Sequence, residues 1–382
     1  MRIICIGFCF LALLAGCSQE RPEVLERRAE EAYAAGHYAK AIAAYERLLM
    51  LSGESAITYG NLALAALAAQ DTAAARAAAE KGLALAKEGP QAERCQELLG
   101  MISEEVKEPE AAVAQYRALL AQAKDPAVRV RVASRLARIY ADQGRADGAL
   151  ALLLMASNEA PQDAGTLYNL GKLCVREPLL LRQAALDAFR MADRLLPAGS
   201  VPARETKNWI TRLEQNLERL QQVPPAAGNA RACAEALKVA REAKAKKRWP
   251  AAQSAAAKAV KADPSNYEAA LEWARMCVQN ANRDQALKAY DAALALRSGS
   301  VEARQEAAQL AYDLKRYDVA CTYLRPALVV QRKNRYLADL MMRILAAQKR
   351  LPEARLWGEY YLALDTSAPA AYRKWVQSLP EK

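Results

Sequence analysis

Alanines stand at Ala252, Ala286, Ala320 and Ala354, each 34 residues after the one before. A second column with the same step holds Ala240, Ala274, Ala308 and Met342, and a third holds Val260, Leu294, Leu328 and Leu362. Three columns that keep one chemical type through four periods restrict the chain severely. Every period must build the same supersecondary unit, and a period of this length is that of a pair of helices. A chain built this way stacks its units in one dimension and needs no single large core.

Each period has the same internal plan. Its first half is free of Pro and Gly, as in Ala232–Lys246 and Ser300–Leu314. A short break follows at Arg248–Trp249–Pro250, Asn282–Arg283, Arg316–Tyr317 and Arg350–Leu351–Pro352. The second half then carries Ala252, Ala256, Ala259 and Val260 at helical spacing, so that they share one face. Alanine on that face lets two helix axes approach closely. Asp263–Pro264 closes the period, because the residue before proline is pushed out of the helical region.

These residues resemble the tetratricopeptide repeat (TPR). The matches are Ala240, Trp249, Ala252, Ala259 and Asp263–Pro264 in one unit, and Trp273–Ala274, Ala286, Tyr290, Ala293 and Leu294 in the next. Arg283 and Leu351 depart from the pattern where the family has an aromatic residue in the turn. The resemblance implies an all-α fold, a TPR-type α-solenoid: a right-handed superhelix of about nine helix–turn–helix repeats in two arrays. Few phenylalanines and many alanines fit such packing and speak against a β fold.

The first residues are of another kind. Arg2 precedes an apolar run from Ile3 to Ala15, shorter than the ~20 residues that span a bilayer. Its length is that of a signal-peptide core. The run ends Leu14-Ala15-Gly16-Cys17, which resembles the bacterial lipobox, where cleavage precedes an acylated cysteine. This implies a signal peptide at 1–16, acylation of Cys17 and a short tether at 17–22. More than one acyl chain gives stable anchoring. Ser18 in place of an aspartate points, by family resemblance, to the outer membrane facing the periplasm.

From the tether onward the sequence predicts a first array of five repeats at 23–197 and a junction with one lone helix at 198–230. A second array of four repeats at 231–368 and a capping helix at 369–382 follow. The lone helix presents Trp209, Ile210, Leu213, Leu217 and Leu220 on one face. Terminal caps are what a stacked array needs to cover its last apolar face.

Catalytic chemistry is not predicted. His37 is the one histidine, which rules out or cripples the Ser–His–Asp and multi-histidine zinc arrangements. Neither a GxxxxGK[ST] nor a GxGxxG phosphate loop follows a strand. The expectation is no enzyme, no cofactor and no metal. Five cysteines remain beyond Cys17, namely Cys95, Cys174, Cys233, Cys277 and Cys321. They read as packed thiols acting as small hydrophobes, with a single disulfide the other reading.

The formal net charge is +11. A basic balance favours an anionic partner, and an export signal makes nucleic acid an unsuitable one. One column of the first helix of each repeat concentrates cations: Arg241, Arg275, Gln309 and Arg343 in the second array, Arg138 and Lys172 in repeats four and five. Arg131 and Arg135 share a face with Arg138, and Asn169 neighbours Lys172. In the TPR family this part of the helix lines the groove that holds partner peptides, and guanidinium forks suit carboxylates. The competing reading is solvated surface, with partial pairing inside each helix, as Glu272 before Arg275 suggests. The function expected is a lipid-anchored protein-interaction scaffold in a bacterial envelope assembly, its partner another envelope protein or peptide of acidic character. The alternative is a protein that binds an anionic glycan or lipid.

Overall fold

A computed structural model describes residues 21–176, 181–221 and 228–380. The leader at 1–16 and Cys17 lie outside the described residues. Within them are twenty α-helices and no strand, and none of the helices is long and apolar enough to cross a membrane.

The chain divides after Lys124 into two compact units. In the first, three helical hairpins follow one another. They are α1 (Pro22–Ala34) with α2 (Tyr38–Ser52), α3 (Ala56–Ala68) with α4 (Thr72–Ala86), and α5 (Pro90–Glu105) with α6 (Pro109–Gln122).

The second unit begins with α7 (Pro126–Asp142) on α8 (Ala146–Glu159) and α9 (Ala164–Val175) on α10 (Arg182–Leu195). The lone α11 (Val201–Gln221) packs on α10, with Trp209 stacked on Phe189 at 6.1 Å. Four hairpins come next: α12 (Ala230–Ala245) with α13 (Trp249–Ala262), α14 (Tyr267–Gln279) with α15 (Arg283–Leu296), α16 (Val301–Asp313) with α17 (Tyr317–Val330), and α18 (Arg335–Ala347) with α19 (Leu351–Leu364). The short α20 (Ala370–Ser378) lies on α19, its Val376 fully buried.

Local chemistry accounts for the hairpins. In the second unit the first helix of every pair opens on a short polar cap. Asp125, Asp163, Asn229, Asn266, Ser300 and Asn334 each accept a hydrogen bond from a backbone N–H in the first turn. Such caps satisfy donors that have no partner inside the helix. Each of these helices in the last four pairs ends on one left-handed residue: Lys247, Ala281, Lys315 or Lys349. The next backbone N–H then reaches back five residues, as Arg248 to Ala243 and Arg316 to Ala311. This Schellman-type closure turns the chain sharply into the second helix. The alanines of the second helices, Ala252, Ala256 and Ala259 among them, are fully buried in the hairpin interface.

The unit boundary differs from the boundary predicted between the two arrays. Hairpins four and five belong with hairpins six to nine, because α8 packs directly on α19. Asp147, with 1% of its side chain exposed, accepts from Arg325 Nε at 2.7 Å and Nη2 at 3.0 Å. It also pairs with Arg350 at 2.8 Å. Trp357 Nε1 donates to the Asp147 carbonyl at 3.1 Å, and Gly148 N donates to Glu353 at 3.0 Å. A side chain at position 148 would meet the Tyr140 ring at 2.8 Å, so glycine permits the approach. Around these polar bonds Leu150, Leu152, Leu153 and Leu154 are all buried. A helix that is apolar on every side needs a partner on every side.

Candidate functional site: a cationic recess on the fourth and fifth hairpins

The columns of the repeat decide where cations collect. On α7, Arg131, Arg135 and Arg138 stand four and three residues apart and so share a helix face. On α9, Asn169 and Lys172 stand opposite them. Ser134 Oγ and Thr166 Oγ1, 3.0 Å apart, hold the two helices in register. Between the helices lies a cavity of about 640 Å³ whose walls include Arg131, Arg135, Arg138 and Asn169. A smaller one of about 90 Å³ adjoins it, sharing Arg138 and Asn169 and adding Lys172 and Arg176.

Neighbouring groups position these side chains. Lys172 Nζ lies 5.2 Å from the centre of the Tyr168 ring, a cation–π contact. The Tyr168 hydroxyl donates to Glu205 of α11, and burial together with that carboxylate pushes the phenol up to about 12. Arg176 pairs with Asp142 at 2.9 Å across the hairpins. Asp163, also in the wall of the larger cavity, is committed to Thr166 N as the cap of α9.

The other cations of the column lie in the later hairpins. Arg241 pairs with Glu268 of the next hairpin. Arg275 meets Glu302 and Glu306 of the next hairpin and Glu272 of its own helix. Arg343 pairs with Asp339 one turn earlier. From hairpin six to hairpin eight the column therefore ties each hairpin to the next by ion pairs, and a neutral hydrogen bond from Tyr336 to Gln309 continues the link to hairpin nine. The cross-links from Arg241 and Arg275 both span 27 residues, as does the bond from Tyr336 to Gln309. Sequence reading missed this second column, although Glu268 and Glu302 stand 34 residues apart in plain view. The matching position after Arg138 is Gly165, which instead lines the recess.

The arrangement can bind, through hydrogen bonds and charge. Among the described residues no group of three or more His, Cys, Asp or Glu side chains is placed to hold a metal ion. The five cysteines among the described residues are all buried free thiols. Burial pushes Cys174 and Cys321 up to about 12 and Cys277 up to about 11.

Residues 27–93, from within α1 through the second hairpin to the start of α5, match the family profile described as tetratricopeptide repeat. Residues 27–93 carry the tetratricopeptide-repeat pattern. Solved structures similar to this chain include YrrB, titled a TPR protein with an unusual peptide-binding site (19% identity, 50% of this chain and 94% of that one, TM-score 0.36). A tetratricopeptide repeat protein from Parabacteroides merdae is similar too (12% identity, 76% and 98% covered, TM-score 0.35). So is the C-terminal part of a TPR repeat-containing protein from Cytophaga hutchinsonii (14% identity, 91% and 98% covered, TM-score 0.34). No curated protein matches the chain at a significant level.

Proposed function

We propose that this chain is an interaction scaffold that receives an acidic segment of a partner protein in the recess between α7 and α9. The observation that carries the reading is the convergence of Arg131, Arg135, Arg138, Asn169 and Lys172 on two adjoining cavities. Guanidinium forks and an ammonium around a concave, partly apolar surface suit carboxylates presented in series. Stacked repeats supply such surfaces preformed, so that binding involves little reorganisation. The sequence at Leu14–Cys17 supports the setting: an acylated Cys17 would tether the scaffold to a bacterial membrane, the outer membrane facing the periplasm, close to envelope partners.

The test uses a labelled hexaglutamate peptide and fluorescence anisotropy. Binding is expected to weaken between about 50 and about 300 mM salt, as contacts among exposed charges are screened. The double reversal Arg135→Glu with Lys172→Glu abolishes it, whereas Arg343→Glu, which only breaks a pair within its own helix, leaves it in place. Peptide binding that survives the double reversal refutes the site. Retention of an anionic glycan but not the peptide turns the assignment to glycan binding. For the tether, Cys17→Ser should release the protein from membranes and remove the mass of the acyl chains.

A further inference from the structure

The first unit carries an apolar edge that its core does not absorb. Gly53, at φ +81°, ends α2, and Ser55 opens α3 by accepting from Thr58 N. So short a loop sets α3 antiparallel to α2, as the neighbouring turns set α1 against α2 and α4 against α3. The start of α1, the end of α2, the start of α3 and the end of α4 therefore share one end of the stacked hairpins.

Four large apolar side chains stand there in water. Met50 and Leu51 in the last turn of α2 are exposed by 84% and 54%, Ile57 in the first turn of α3 by 46%, and Leu85 in the last turn of α4 by 44%. Among the described residues of the first unit one other large apolar side chain is exposed, Val106, and it stands at the opposite end, after α5. Single exposed apolar residues are ordinary, but four gathered at one end mark a contact surface. Charge does not define that surface. Arg21 and Lys87 stand exposed at the same end as Glu23 and Glu88, and Glu54 accepts from the Tyr59 hydroxyl at 3.1 Å. With both signs present, what this end offers a partner is its apolar side chains.

The chain itself brings a bilayer to them. Cys17 lies four residues before Arg21. On the reading that Cys17 is acylated, on which this inference rests, that tether reaches at most about 14 Å from the acyl boundary to the start of α1. The polar layer of one leaflet takes up roughly 5–8 Å of the reach. The end of α2 is one interhelical distance, about 8–10 Å, from the start of α1. Met50 and Leu51 are thus held within a side chain's length or two of the headgroups, where burying apolar area stabilises contact with the interface.

We infer that this end of the first unit is a membrane-docking surface: Met50, Leu51, Ile57 and Leu85 enter the interfacial layer of the bilayer that holds Cys17, and set these hairpins end-on to it. The occupant is a lipid surface, and the contact adds to the acyl anchor an orientation that acyl chains alone do not impose.

The chain from Cys17 onward, which holds every described residue, is coupled through the Cys17 thiol to vesicles of phosphatidylethanolamine and phosphatidylglycerol bearing a thiol-reactive lipid. The other five cysteines are buried and stay out of the coupling. Hydrogen exchange is read with and without vesicles. Amides at 50–57 and 84–88 are expected to exchange at least about fivefold more slowly on the vesicles, with those at 106–108 unchanged and the effect kept at about 300 mM salt. Met50→Ser with Leu51→Ser, both exposed and outside the core, should bring the rates back to within about twofold of those in solution while α3 and α4 keep their protection. No slowing on vesicles, equal slowing at both ends, or slowing that the serine pair leaves unchanged overturns the inference. Slowing that high salt removes overturns it too, as a contact between charges. So does slowing in vesicle-free solution that grows with protein concentration, which marks a second copy as the occupant. The coupling supplies the attachment, so a failure of the acylation reading shows in the mass of Cys17 taken from cells and not in these rates.

Discussion

Asp147→Asn is the sharpest perturbation of this molecule. The carboxylate is almost fully buried and receives two bonds from Arg325 and one from Arg350, all between 2.7 and 3.0 Å. Asparagine keeps the volume, so no cavity opens. It removes the charge and turns an amide donor toward guanidinium donors. Arg325, with 9% of its side chain exposed, cannot recover this by hydration, whereas Arg350, 32% exposed, keeps Glu353. Breaking a buried pair on one side costs about 3–5 kcal/mol. Because the replacement is isosteric and Arg350 is rescued, the expected loss is about 3 kcal/mol. For a unit of this size that is a fall in Tm of roughly 6–12 °C. Repeat arrays do not unfold in one step, so the better assay is native-state hydrogen exchange. Amides of α8 and α19 should exchange on the order of a hundredfold faster, with α14 and α16 little changed. Replacing both Asp147 and Arg325 by leucine should recover most of the loss, since a buried pair exchanged for apolar residues is often neutral. The reasoning fails if Asp147→Asn costs less than about 1 kcal/mol, or if exchange rises evenly over the whole unit.

Other expectations concern single features. Gly171→Ala would put a methyl 2.7 Å from the Phe189 ring, which Trp209 pins from behind; net destabilisation of about 1–2 kcal/mol is expected in urea unfolding. Gly299→Ala, with nothing within 4 Å, is the neutral control. Arg275→Gln leaves Glu302 and Glu306 facing each other, and should cost about 1–2 kcal/mol at low salt and visibly less at high salt, since the cluster is partly exposed. The thiols should resist a disulfide reagent at pH 8 until the chain unfolds, because all five are buried and burial holds Cys174, Cys277 and Cys321 well above their ordinary value of 9.0. The sign of the linkage follows. Above about pH 9 the unfolded chain ionises its thiols while the folded chain keeps its protons, so stability should decline as pH rises through that range and be unaffected below it.

What was legible in the sequence was local or periodic. The breaks read at Trp249, Arg283, Tyr317 and Leu351 are the first residues of α13, α15, α17 and α19. They were readable because each turn is closed by bonds within a few residues. Arg131, Arg135 and Arg138 were readable as one face because helical spacing alone puts them there, and α9 brings Asn169 and Lys172 to them. The fate of Arg241 and Arg275 was not read, since their carboxylates come from the following hairpin, at a spacing outside helix rules. The α8–α19 packing was the least legible. Gly148 and Glu353 stand 205 residues apart, and no periodicity links them. Its one local trace is that Leu150, Leu152, Leu153 and Leu154 exceed the single stripe a two-helix unit requires.

That separation has a price during synthesis. A nascent chain emerging at about 5–20 residues per second would carry the leucine-rich α8 for roughly 10–40 s before α19 exists to cover it. Throughout that interval a sticky helix waits without its natural lid. Chains stopped short of Trp357 should therefore clump or recruit holding chaperones, even though every hairpin already made is whole.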